Sequence, residues 1–82
     1  MTFDQWIDAV DAQVRRRLGS QVRTEELSWD SAMWVGRGGT VTAAMDNDEA
    51  TATFSFDAGD RLSVPLEARP DGIASTIADR LA

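Results

Sequence analysis

Histidine, cysteine, lysine and tyrosine are all missing from this chain of 82 residues. Each absence removes a chemistry. Without His no unperturbed side chain titrates near neutral pH, and without Cys there is neither a thiolate nucleophile nor a disulfide framework. Without Lys there is no Schiff-base amine. The imidazole and thiolate ligands that zinc prefers are gone as well. The carboxylates and hydroxyls that remain fall into no recognisable catalytic set, so the expectation is a non-enzymatic protein with no metal and no cofactor. No apolar run approaches the roughly 20 residues of a membrane-spanning helix. Met1 leads into Asp4 and Asp8 rather than a signal-peptide core. A soluble, cytoplasmic protein is expected, with no membrane partner.

What the chain does have is acid. Fourteen Asp and Glu stand against 8 arginines, for a net charge of −6. Phosphate contacts need a basic surface, so direct binding to nucleic acid is disfavoured, while a basic partner is favoured. Hydrophobic residues make up 43% of the chain, and Phe3, Trp6, Trp29, Trp34, Phe54 and Phe56 supply bulk for a real core. The length suits a single domain over residues 1–82, burying about 60–65% of its unfolded surface.

Thr2 to Leu18 carries the clearest pattern. Phe3, Trp6, Ile7, Val10, Val14 and Leu18 recur at helical spacing, Thr2 and Gln5 match a capping box, and Gly19 is placed as the C-cap. Asp4 and Asp8 lie toward the positive end of the helix dipole and Arg15, Arg16 and Arg17 at its negative end, with Asp11 and Arg15 spaced to pair. Residues 20–31 show no clean period and are open between helix, strand and loop. Strand-like runs follow at Ala32–Gly36, Thr40–Met45, Ala50–Phe56 and Arg61–Leu66, separated by turn-rich segments. Ala52, Phe54 and Phe56 alternate with Thr51, Thr53 and Ser55, as in an antiparallel strand with one wet face. Pro65 marks an edge strand. Pro70-Asp71-Gly72 opens a second helix with Asp71 as N-cap and Ile73, Ile77 and Leu81 as its stripe. The expected fold is α+β: an antiparallel meander of three to four strands with an N-terminal and a C-terminal helix on one face.

Several clusters invite a chemical reading. Gly36-Arg37-Gly38-Gly39 lacks the Lys and the following helix of a phosphate-binding loop, so a hairpin turn is expected. Asp46, Asp48 and Glu49 lack the mid-loop Gly and terminal Glu of a calcium loop, and Asp57 and Asp60 have no more support; both groups suit hairpin turns. They would instead attract a basic partner electrostatically, with Asp46–Glu49 favoured as the central contact. Trp34 is expected in the core. Trp29 and Met33 are the candidates for a hydrophobic anchor, because Trp and Met are enriched at interfaces.

The run Phe3-Asp4-Gln5-Trp6-Ile7-Asp8-Ala9-Val10-Asp11 is similar to the opening helix of small proteins carried by phages and mobile elements. In size, acidity and lack of catalytic residues the chain also resembles anti-CRISPR proteins and other host-defence inhibitors. That resemblance implies a small acidic accessory protein that blocks a basic, nucleic-acid-handling partner, as some of those inhibitors do with carboxylates placed where the target expects phosphates. The α–β–β–β–α order resembles a double-stranded-RNA-binding domain too. That family's basic second helix is absent, and the acidic surroundings of Asp71 do not carry RNA binding over. The alternative expectation is a self-associating accessory or chaperone-like protein, a homodimer joined through an exposed sheet edge.

Overall fold

A computed structural model describes residues 2–82. The chain runs α1 (Phe3–Leu18), a 3₁₀ turn (Gly19–Gln21), β1 (Val22–Leu27), β2 (Ser31–Gly36), β3 (Gly39–Met45), β4 (Thr51–Phe56), β5 (Arg61–Pro65) and α2 (Pro70–Leu81). The five strands form one antiparallel sheet in sequence order, a plain meander. This is the α+β architecture the sequence leads to. The segment left open by its lack of period becomes β1, bringing the sheet to five strands.

Helix α1 forms where its stripe and its ends agree. The Thr2 N–H donates to Gln5 Oε1 at 3.3 Å, and the Gly19 N–H, with φ 57°, closes the helix on the Arg15 carbonyl. Phe3, Trp6, Ile7, Val10 and Val14 are buried by it against one face of the sheet. Helix α2 begins differently from expectation. Proline has no N–H to satisfy, so Pro70 takes the first turn, Arg69 stands at the N-cap, and Asp71 accepts from Gln13 Nε2 at 2.9 Å instead.

The two helices share one core with the inward side chains Ala32, Trp34, Val41, Ala43, Ala52, Phe54 and Phe56. Phe54 lies between two tryptophans, edge-on to Trp6 at 6.0 Å and stacked with Trp34 at 6.4 Å. Trp6 Nε1–H donates to the Ala68 carbonyl at 2.8 Å, pinning the β5–α2 connection to α1. The opposite sheet face, including Met33, Thr42, Thr53 and Ser55, stays partly open.

Both helices finish at the same end of the sheet. The α1 chain turns through Gly19–Gln21 into Val22, which pairs with Gly36, and the Gly38 N–H donates to the Leu81 carbonyl at 3.0 Å. A Cβ on Gly36 would stand 2.7 Å from the Leu81 Cβ, and one on Gly38 would overlap the Arg80 carbonyl oxygen. The glycine-rich stretch is a hairpin turn, shaped to receive the end of α2. No helix among the described residues is long and apolar enough to cross a membrane.

Candidate functional site

Consecutive turns of a meander alternate between its two ends. The β1–β2 turn carrying Trp29 and the β3–β4 turn carrying Asp46, Asp48 and Glu49 therefore lie together, and the start of α1 joins them. Trp29, Met45, Glu49, Thr2, Phe3 and Asp4 line one shallow groove of about 400 Å³. The Met45 N–H donates to the Asp30 carbonyl at 2.8 Å, tying the Trp29 turn to the third strand. Trp29 is 68% exposed, far above Leu62 at 42% and Leu27 at 41%. The same groove has an apolar floor, Phe3 and the half-buried Met45, and an acidic rim, Asp4 and Glu49.

The hairpin beside it is a fixed object. Asp46 accepts from Thr53 Oγ1 at 2.8 Å, and its carbonyl accepts the Glu49 N–H at 2.9 Å. Asp48 accepts from the N–H groups of Ala50 and Thr51 at 2.9 and 3.1 Å and from Thr51 Oγ1 at 2.9 Å. Those donors, the Ala50 N–H foremost, hold its carboxyl below the usual range. At the rim, the Thr2 hydroxyl does the same for Asp4. Glu49 takes φ 57°, the left-handed region that glycine occupies without strain. Of the three hairpin acids, Glu49 alone lines the Trp29 groove.

The other candidates are placed elsewhere. Met33 is half-buried on the open sheet face, where it shares a second shallow concavity with Asp46, Glu26 and Arg61. Asp57 and Asp60 sit in the β4–β5 turn, at the end of the sheet away from Trp29. Asp57 accepts the Thr40 N–H at 2.9 Å. Asp60 pairs with Arg80, whose guanidinium also lies 4.5 Å from the centre of the Phe56 ring. The Arg80 guanidinium keeps the Asp60 carboxyl below its ordinary value, and Asp60 in turn raises Arg80. Both acids fasten structure at that end.

That Phe3, Asp4 and Met45 are neighbours of Trp29 is not visible in the sequence. One signal for Met45 was available: it keeps the inward parity of Val41 and Ala43 yet falls at the hairpin, where it is half-buried. Among the described residues no cluster of His, Cys, Asp or Glu is arranged to hold a metal ion. No protein-family model, curated protein or solved structure matches this chain.

Proposed function

We propose that the chain is a non-enzymatic protein-binding module, a small acidic inhibitor of a basic, nucleic-acid-handling partner. The observation that carries this reading is Trp29, 68% exposed and set among Asp4, Glu49 and an apolar floor. An aromatic anchor inside a charged rim is the usual anatomy of a small interface, where the anchor supplies affinity and the rim speeds encounter. A standard contact takes about 800 Å² from each partner. On a surface of 4800 Å² that is one end of the molecule, and a strand of six residues separates the ends by about 20 Å. The Trp29 end with its hairpin is therefore assigned as the contact, apart from Asp57 and Asp60. No catalytic step is invoked, and a cytoplasmic location fits this role.

Assembly through a sheet edge has less support. A bulge between Thr24 and Glu26 breaks β1, which also carries Arg23, Glu25 and Glu26, and β5 ends in Pro65. Bulges, charges and proline are the devices that blunt edges against pairing. The test is comparative capture from cells. Bait carrying Trp29 should retain a basic, nucleic-acid-handling protein that elutes with salt and is lost from a Trp29→Ala bait. Identical capture by both baits would contradict the reading.

A further inference from the structure

Resting on that docking reading, we propose that the groove between Trp29, Met45 and Glu49 receives a single arginine side chain of the partner. Its parts match the parts of that side chain. The apolar floor of Phe3 and Met45 suits the methylene stem, the exposed indole of Trp29 offers a flat face for a guanidinium, and Asp4 and Glu49 supply the counter-charge. Among the described residues no arginine lines this groove; Arg69 lines the neighbouring concavity, which shares Glu49, and lies 3.5 Å from Asp71.

The opposite end of the molecule holds the same combination with its cation in place. There Arg80 sits over the Phe56 ring at 4.5 Å while Asp60 binds the guanidinium through two hydrogen bonds. The Trp29 groove repeats the aromatic ring and the carboxylates and has no arginine in its lining. Charge complementarity thus selects a cationic occupant, and the indole face selects the planar cation over the compact ammonium of lysine. The backbone of Glu49 agrees with this assignment. A glutamate held at φ 57° by its bond to the Asp46 carbonyl occupies a position where glycine would be less strained.

The three tryptophans provide the readout. The indole N–H of Trp6 is bonded to Ala68 and that of Trp34 to Asp11, inside the core, whereas Trp29 stands in solvent. The experiment titrates the full chain with a blocked Gly-Gly-Arg-Gly-Gly peptide and with its lysine and citrulline counterparts. It follows the tryptophan indole and Met45 methyl signals by NMR. The arginine peptide should move Trp29 and Met45 and leave Trp6 and Trp34 still. Lysine should bind more weakly, citrulline should have no effect, and added salt should weaken the shift. Trp29→Ala, an exposed site whose loss leaves the core intact, should reduce affinity by about two- to fivefold for the stacking contribution alone. Glu49→Gln should also weaken arginine binding and should not alter the response to citrulline. A Trp29 signal indifferent to arginine, or equally responsive to citrulline, would overturn the arginine groove. Shifts confined to the Asp46–Asp48 amides would overturn it as well, and would leave acidic docking standing. An absence of any shift removes the groove, while the docking reading falls only if partner capture also ignores Trp29→Ala.

Discussion

Asp11 is the one charged side chain, among those described, that the fold takes inside, at 7% exposure. Its Oδ1 accepts from Trp34 Nε1 at 2.8 Å and Thr24 Oγ1 at 2.6 Å, and Arg15 lies 3.7 Å from Oδ2. One carboxylate therefore joins α1 to β1 and β2. Asp11→Ala leaves the indole N–H and the hydroxyl without an acceptor and should cost about 1–3 kcal/mol in urea denaturation. Asp11→Asn keeps an oxygen in place and should cost less; equal losses would mean that the charge, and not the acceptor, matters. In the sequence Asp11 shows only its spacing to Arg15. Its inward role depends on where β1 and β2 come to lie, which no local pattern encodes. Glu49 makes the opposite case. Glu49→Gly relieves a left-handed backbone and should stabilise the fold by about 0.5–1 kcal/mol, while weakening binding at the Trp29 end. Destabilisation by glycine would show that the Glu49 side chain serves the fold rather than a partner.

Among the elements, legibility follows local consistency. Stripe, cap and terminal charges all agree in α1, and the structure has that helix from Phe3 to Leu18. Strands β3 and β4 alternate cleanly because helices cover one face only. Strand β1 was not legible, since the bulge between Thr24 and Glu26 breaks its alternation and its outward residues are charged. Strand β5 begins beyond the helix cover, so Leu62 is left exposed while Leu66, past the strand end, is buried. The hairpin of Gly36–Gly39 was legible as a turn, but not as the seat of α2. Gly38→Ala should loosen that seat, seen as faster amide exchange in the last turn of α2 with α1 unaffected; unchanged exchange would refute the tight contact. Truncating Phe54 to Ala should cost roughly 3–5 kcal/mol, close to the whole stability of a small domain.

At the scale of the molecule, most of the arginines gather at one end, with Asp57 and Asp60 among them, while Arg69 at the start of α2 stands at the other and pairs with Asp71. Arg15, Arg16 and Arg17 close α1, Arg80 closes α2, and Arg37 sits in the turn that receives α2; all lie away from Trp29. Asp4, Asp30, Asp46, Asp48 and Glu49 gather beside it. A basic partner would be steered to the Trp29 end, within the reach of about 8 Å that physiological salt allows. The acidity also sets the response to pH. Asp48 and Asp60 are held below their ordinary value of 3.8 by hydrogen-bond donors and by Arg80 respectively. Because the folded state lowers these values, their contribution is present above 3.8 and is lost as pH falls through and below it. Melting temperature should therefore drop on acidification below about pH 4, and less steeply in Asp48→Asn and Asp60→Asn. A melting temperature independent of pH down to the acid limit would contradict these assignments.

The convergence of Trp29 with the acidic hairpin was not legible, because it needs the strand order and the position of α1 together. The acids themselves were visible, but not that Asp57 and Asp60 are occupied in fastening their own end. Affinity measured with changes at both ends decides which end meets the partner. The captured partner should be titrated against the native chain, Trp29→Ala, and a variant with Arg16, Arg17 and Arg37 all changed to Gln. All three proteins are expected to melt cooperatively, since each change lies on the surface. Trp29→Ala should weaken binding about tenfold or more, as hot-spot residues do, while the arginine variant should bind as well as the native chain or slightly better. Unaltered binding by Trp29→Ala, with binding lost in the arginine variant, would place the contact at the opposite end and contradict the account.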